Sequence, residues 1–402
     1  MATASLTATG WSITNDAPKP SAGRLHLKLK RLLVAVALSG VLLAGCGSAT
    51  NAASVWPEWD AFAKRFIQAD GRVIDLTFDQ KSTSEGQSYG LFFALVANDR
   101  PRFDAILNWT SNNLADGQLG QRLPAWLWGK KGDGSWGVKD GNAASDADLW
   151  LAYTLIEAAR LWHAPEYAVR GHALLDQIKR QEVADAGIVG PVLLPGPVGF
   201  RLGDDRFRLD PSYWPGFLFR TLALEDPSGP WAAIWSSYLA MAGTLYASGI
   251  APDLFIVDTH GRVTPDSERP PAGSYDAIRV YLWAGMSDAD SAKLRPLLKR
   301  YATLVHQRGT PPERVDPGSG AILSGDFSPI GFSGAILPFL AAIGDRETLD
   351  QQQSRLHWSH LRAELGRGSN YYDDALILFG TGWLDQHYRF DQDGRLHPNW
   401  AK

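Results

Sequence analysis

Four acids in this chain sit where chemistry is possible. Glu85 lies in "TSEGQSYGLFFAL", Asp146 and Asp148 in "ASDADLWLAYTL", and Asp276 in "GSYDAIRVYLWAG". Each lies within three residues after a serine and precedes a strongly apolar run. Paired carboxylates are the usual agents of general acid–base work, one protonated and its partner ionised. A plainer role competes with that one, because acids in a first helical turn also complement the helix dipole. Ser84 to Gln87 and Ser145 to Asp148 have the spacing of capping boxes. Any single acid is explained by capping at least as well as by catalysis. Three similar helix starts carrying acids call for a fold that gathers them.

The elements that must position them show a simple alternation. Six helix starts lead into runs that are apolar on most sides, near Ser84, Ser145, Asp210, Ser274, Ser328 and Ser369. Most carry a small polar residue or Pro able to start a helix, and the runs that follow suit inner helices. Between them lie more amphipathic, charged stretches at 56–68, 101–114, 165–182, 229–248, 288–307 and 345–365. Six inner and six outer helices in alternation predict an all-α (α/α)6 barrel. Its inner N-termini collect at one end, a sensible place for a site. The stretch 183–209 breaks the helical pattern and is expected to form a small β-hairpin excursion on that rim.

Helical spacing then sets aromatics beside the acids. Glu85 shares a face with Tyr89 and Phe92, Asp146 with Trp150 and Tyr153, and Asp276 with Arg279 and Trp283. Carboxylates flanked by rings along a cavity describe a carbohydrate site, where rings stack on pyranose faces and acids work the glycosidic bond. Tyr89 and Trp150 are therefore expected to face a sugar. The chain has 16 Trp among 402 residues, and core packing is the expected fate of most of them.

Composition narrows the partners. Residues 24–43 combine a basic cluster (Arg24, Lys28, Lys30, Arg31) with the 12-residue apolar run Leu32–Leu43, too short to span a bilayer comfortably. "LAGC" follows and resembles a bacterial lipobox. That resemblance implies export, cleavage before Cys46 and lipidation of Cys46, the only cysteine in the chain; an ordinary signal peptide with an incidental Cys is the alternative. Residues 1–45 thus read as N-terminal extension and signal, 46–55 as a flexible tether and 56–402 as one catalytic domain. The expected location is the bacterial envelope, periplasmic and lipid-anchored, with the outer membrane favoured. Residues 1–45 hold five basic residues and one acid, so the remainder has 34 basic and 42 acidic residues, a net of −8. No basic block survives there, which disfavours nucleic acid and acidic polysaccharide. A neutral substrate fits better.

Three stretches together carry a family resemblance. "ASDADLWLAYTLIEAARLW" (144–162) is similar to the signature of glycoside hydrolase family 8, departing at Leu151 and Thr154. "TSEGQSYG" and "SYDAIRVYLW" resemble the segments bearing that family's acid and base, and "PAWLWGKK" also fits. The resemblance covers roughly residues 56–400 and is closest to endoglucanases associated with bacterial cellulose synthesis. It implies an inverting endo-β-1,4-glucanase with no required metal or other cofactor. Glu85 would be the general acid, Asp276 the base that activates water, and Asp146 the group that holds the sugar and aids ring distortion. Tyr275 and Arg279 would support the base; Trp126 and Tyr213 would line subsites. The implied partner is a β-1,4-glucan, with association to cellulose-synthase components and a monomeric state as further expectations. Chitosan, xylan or mixed-linkage glucan stay open as substrates, as does a non-catalytic glycan-binding role.

Other constellations are weaker. "HWSH" (357–360) is better read as an outer-helix surface than as a zinc site. "GFSGA" (331–335) suits close helix packing better than a nucleophile elbow, and "GDGSWG" (132–137) reads as a turn. Asp373 and Asp374 read as helix-start acids. For Glu85, burial against Tyr89 with Asp146 nearby is expected to outweigh the helix dipole and hold its pKa up.

Overall fold

The computed structural model describes residues 56–77, 79–286, 293–364 and 370–401. The signal region, Cys46, the tether and Ser369 lie outside the described residues.

Twelve α-helices are present among the described residues. The inner set is α2 (Ser84–Val96), α4 (Ser145–Trp162), α6 (Gly216–Glu225), α8 (Ala277–Met286), α10 (Ile330–Ile343) and α12 (Tyr371–Leu384). The outer set is α1 (Pro57–Phe66), α3 (Arg100–Leu114), α5 (Pro165–Gln181), α7 (Trp231–Leu245), α9 (Leu294–Arg308) and α11 (Arg346–Glu364). Contacts run α2 to α4 to α6, then α8 to α10 to α12 and back to α2; a 3₁₀ turn, Pro211–Tyr213, touches both α4 and α8 and bridges the remaining gap. Each outer helix packs on an inner neighbour. This is the (α/α)6 barrel that the alternation predicts.

Aromatic rings fill the barrel below the mouth. Trp150 packs edge-on against Phe92 at 4.9 Å and lies 5.4 Å from Phe379 and 5.5 Å from Trp283. Tyr388 and Phe390 close the floor beside Phe92. Such rings bury large areas with defined edge and face contacts, so the inner helices cannot rotate without disturbing several neighbours. Glycines let α10 and α12 approach closely. A Cβ on Gly380 would stand 1.8 Å from the Gly334 carbonyl oxygen, so "GFSGA" serves helix packing as expected.

The strands are short. β1 (Ser82–Thr83), β2 (Leu127–Lys130) and β3 (Trp136–Asp140) form one antiparallel sheet that makes "GDGSWG" the tip of a hairpin. The expected excursion at 183–209 divides in two. β4 (Val183–Asp185) and β5 (Pro191–Leu193) make the hairpin, whereas β6 (Arg206–Leu209) pairs with β7 (Phe255–Asp258) and β7 with β8 (Val263–Pro265). A last hairpin joins β9 (Tyr388–Phe390) to β10 (Leu396–Pro398).

Two helix starts differ from their capping-box readings. The Thr83 hydroxyl, not that of Ser84, caps α2 by accepting from Gly86 N at 3.0 Å. Gln87 instead turns inward, where it accepts from Val73 N and donates to the Thr110 hydroxyl. At α4, Ser145 donates to the Leu194 carbonyl at 2.6 Å and no side chain caps the helix. Capping therefore does not account for Asp148.

Candidate active site

The first turns of α2, α4, α8 and α12 meet at one end of the barrel around the guanidinium of Arg279. Its Nη1 lies 2.8 Å from Glu85 Oε2, 2.8 Å from Asp146 Oδ2 and 2.8 Å from the Tyr89 hydroxyl. Its Nη2 lies 2.8 Å from Asp276 Oδ1. Three acids named from three separate sequence stretches therefore contact a single cation. The planar guanidinium, with five donors in a fixed fork, suits that task in a way lysine cannot.

The three carboxylates differ in access. The Asp146 side chain is 4% exposed, that of Glu85 20% and that of Asp276 42%. Asp146 forms the floor, Glu85 the wall and Asp276 the open lip. One positive charge does not balance three negative ones, so a proton has reason to stay. Burial raises the Glu85 pKa to about 7. Arg279 works against that rise, the charge of Asp146 adds to it, a hydrogen bond from Tyr371 opposes it, and Asp276 adds again. Burial likewise holds Asp146 above its ordinary value, with Arg279 opposing. Glu85 thus departs upward, the direction expected from its surroundings.

The start of α8 has an unusual support. Asp253, well before it in the chain, accepts from Ser274 N at 2.7 Å and Ala277 N at 2.9 Å, so it caps the helix that carries Arg279. Desolvation raises the Asp253 pKa to about 7, with Asp276 adding and the backbone donors opposing.

Two sequence expectations need correction. Trp150 is 1% exposed and boxed in by Tyr89, Phe92, Tyr153, Phe217, Trp283 and Phe379. Its ring is barrel core and has no free face for a sugar. Tyr89 is buried too, and only its hydroxyl reaches the site, where it meets Arg279. The physical reason is common to both. A residue one turn below an inner N-terminus already lies beneath the mouth, where the barrel is filled. Arg279 is also buried and turned to the acids, so it organises the site from below.

The remaining expected residues lie at the rim. Trp126 is 36% exposed, and its carbonyl accepts from Ser84 N at 3.0 Å, which sets it beside the start of α2. The ring of Tyr213, on the 3₁₀ turn, lies 5.4 Å from the Arg279 guanidinium carbon. Tyr275 is exposed and donates to Glu313 at 2.7 Å. Asp373 accepts from Gly331 N and Asp374 pairs with Arg65, so both serve helix starts and packing. His357 lies exposed on α11. No metal-ligating cluster occurs among the described residues.

Two tyrosines were missed. Tyr371 donates to Glu85 Oε1 at 2.6 Å, and Tyr372 donates to the Tyr275 carbonyl at 2.6 Å. The signal was available: "SNYYDD" opens the sixth inner helix, and its first turn had to reach the same mouth as the acids. Asp210 was also passed over. It is buried, accepts from Ser212 N and the Ser212 hydroxyl, and is pushed well above its ordinary pKa, by burial first and by Asp276 second.

Residues 34–387 match the family described as glycosyl hydrolases family 8. An endoglucanase of Xanthomonas axonopodis pv. citri (strain 306) is 45% identical over 383 residues, covering 92% of this chain and 97% of that protein. An endoglucanase of Escherichia coli (strain K12) is 42% identical over 357 residues, covering 88% and 93%. Among solved structures, the endo-1,4-D-glucanase from Vibrio fischeri ES114 superposes with a TM-score of 0.80 at 39% identity, over 86% of this chain and 100% of that one.

Proposed function

The chain belongs to glycosyl hydrolases family 8, and from that membership we propose that it is an inverting endo-β-1,4-glucanase acting on cellulose-like glucan. Glu85 is the general acid that protonates the leaving oxygen. Asp276 is the general base that draws a proton from the attacking water. Asp146, on the floor between them, holds the sugar and favours its distorted ring.

One observation carries this reading: Glu85 and Asp276 are held by opposite nitrogens of the same guanidinium and differ in access. A buried acid that keeps its proton near neutral pH can donate it. A carboxylate at the open lip can receive one from water. Their separation is limited by two 2.8 Å bonds and the width of one guanidinium. That upper bound reaches into the range of roughly 6.5–9.5 Å that an inverting pair needs for water to enter on the face opposite the leaving group. Bond cleavage balances simply: the leaving oxygen takes Glu85's proton, the anomeric carbon takes hydroxide from water, and Asp276 keeps the other water proton.

A reducing-sugar assay on carboxymethyl-cellulose tests the assignment. Wild type should be active, with Glu85→Gln and Asp276→Asn inactive; unchanged activity in both variants would remove these residues from their roles. NMR of the first-formed product should show the α-anomer. Activity on chitosan, xylan or mixed-linkage glucan in place of cellulose would redirect the substrate assignment, and binding without cleavage would favour a glycan-binding role.

The location follows from the leader. The lipobox-like "LAGC" supports lipidation at Cys46 and residence in the bacterial envelope, where association with cellulose-synthase components is reasonable for a monomeric hydrolase of this kind. Labelled palmitate should enter the wild-type chain and not Cys46→Ala; equal labelling would point to an ordinary signal peptide.

A further inference from the structure

Asp148 and Glu182 form a second acidic pair, outside the cleft. Asp148 lies in the first turn of α4, two residues past Asp146, and Glu182 caps the C-terminus of α5. Both are fully buried. None of their four carboxyl oxygens finds a hydrogen-bond donor among the described residues. The charged groups that act on the pair are each other and Asp146, from α4 itself; the cation serving Asp146 is Arg279, on α8. Two ionised carboxylates side by side in such a place carry a desolvation cost and a mutual repulsion, and no cation acts on the pair to offset them. The bond open to them is with each other, and a carboxylate can accept that bond only if its partner is protonated.

The backbone around them is already a tight circuit. The Glu182 carbonyl accepts from Leu194 N at 2.7 Å. Leu194 returns its own carbonyl to the Ser145 hydroxyl at 2.6 Å, and Ser145 N donates to the Pro195 carbonyl at 3.0 Å. A carboxyl–carboxylate bond from Glu182 to Asp148 closes the loop at its open side.

We propose that Asp148 and Glu182 share one proton at neutral pH, and that this bond clamps the first turn of α4 and so positions Asp146 against Arg279. The pair touches no substrate; both are positioning residues. Burial pushes both acids well above their ordinary pKa values, Asp148 with Asp146 adding and Glu182 with Asp148 adding. The direction of linkage follows. Groups whose pKa is raised by folding contribute stability at low pH and lose it as pH rises through the folded value. The functional half of this inference rests on Asp146 acting in the cleft; the shared proton does not.

The test compares wild type with Glu182→Gln and Asp148→Asn, in which an amide replaces one carboxyl as donor and has no proton to release. Unfolding is followed from about pH 5 to about pH 9, where linkage converts the slope of stability with pH into protons bound on folding. Each amide variant should reduce proton uptake by about one relative to wild type. Infrared difference spectra at neutral pH should show one protonated-carboxyl band lost. In activity, Glu182→Ala should lower kcat about tenfold, Glu182→Gln should restore most of it, and KM should stay within about twofold, the pattern of a residue acting through another. Unchanged proton uptake and an unchanged carboxyl band in both amide variants would overturn the proposal. Failure of both amide variants to fold would overturn it too, since the amide has the shape of the protonated acid. If the chain proved inactive on β-glucan, the unfolding and infrared measurements would still decide whether the proton is shared.

Discussion

Tyr371 hydrogen-bonds Glu85 at 2.6 Å across 286 positions of sequence. The last inner helix thereby adjusts the proton affinity of an acid on the first, against the larger effect of burial. This bond lowers the Glu85 pKa, because a donor stabilises the charged form. Tyr371→Phe should therefore raise it. An acid that must be protonated to act then stays competent to higher pH, so the alkaline limb of kcat/KM should move upward by up to about one pH unit. A limb that moved downward would reverse the assigned direction.

Glu85 also links stability to pH. Its folded pKa is about 7 against an ordinary 4.5. The contribution is fully present below the ordinary value and disappears as pH rises through the folded one. Glu85→Gln should flatten the decline of the melting temperature across that interval and melt higher than wild type above it. Parallel curves for the two proteins would show that Glu85 titrates as an ordinary surface acid.

Arg279 is buried among three carboxylates. Arg279→Met should destabilise by about 3–5 kcal/mol, because unpaired buried charge is left behind. Arg279→Lys keeps the charge and loses the fork; a kcat reduction of about 100-fold or more is expected. Denaturant unfolding and initial rates measure the two effects separately. A fully active lysine variant would show that charge alone holds the acids.

Trp126 and Trp150 should separate cleanly. Trp126→Ala removes a half-open ring at the rim and should raise KM about tenfold, equivalent to ~1.4 kcal/mol of contact, with little change in melting temperature. Trp150→Ala removes a core ring and should destabilise by about 3–5 kcal/mol. The reverse pattern would return Trp150 to the sugar-facing set.

Much of this was legible because inner and outer helices differ in pattern. Apolar runs located all six inner helices, although the third begins at Gly216 rather than near Asp210, which caps the 3₁₀ turn ahead of it, and the acids followed from their places at the helix starts. Periodicity stopped short where depth mattered. It put Tyr89 and Trp150 on the same face as the acids, which is correct, but it cannot tell which turn of a helix is mouth and which is floor. Capping was misplaced by one residue at α2 for a related reason. Ser84 and Thr83 are equally good candidates by type, and the choice depends on strand β1 ending where the helix begins. The cap of α8 was beyond local reading altogether, since Asp253 comes from another stretch of chain. Asp148 looked like half of a capping box, and only the position of Glu182 shows otherwise.

The tie made by Asp253 has a consequence for how the chain ahead of α8 can be altered. Its N–H donates to the Ala272 carbonyl at 2.7 Å while its carboxylate holds Ser274 and Ala277. The excursion between 253 and 272, with β7 and β8, is therefore knotted shut at its neck. Segments of different length or chemistry can be grafted beyond that neck, on the side of the outer helix α7 against which β8 packs, while the aim of Asp276 stays fixed.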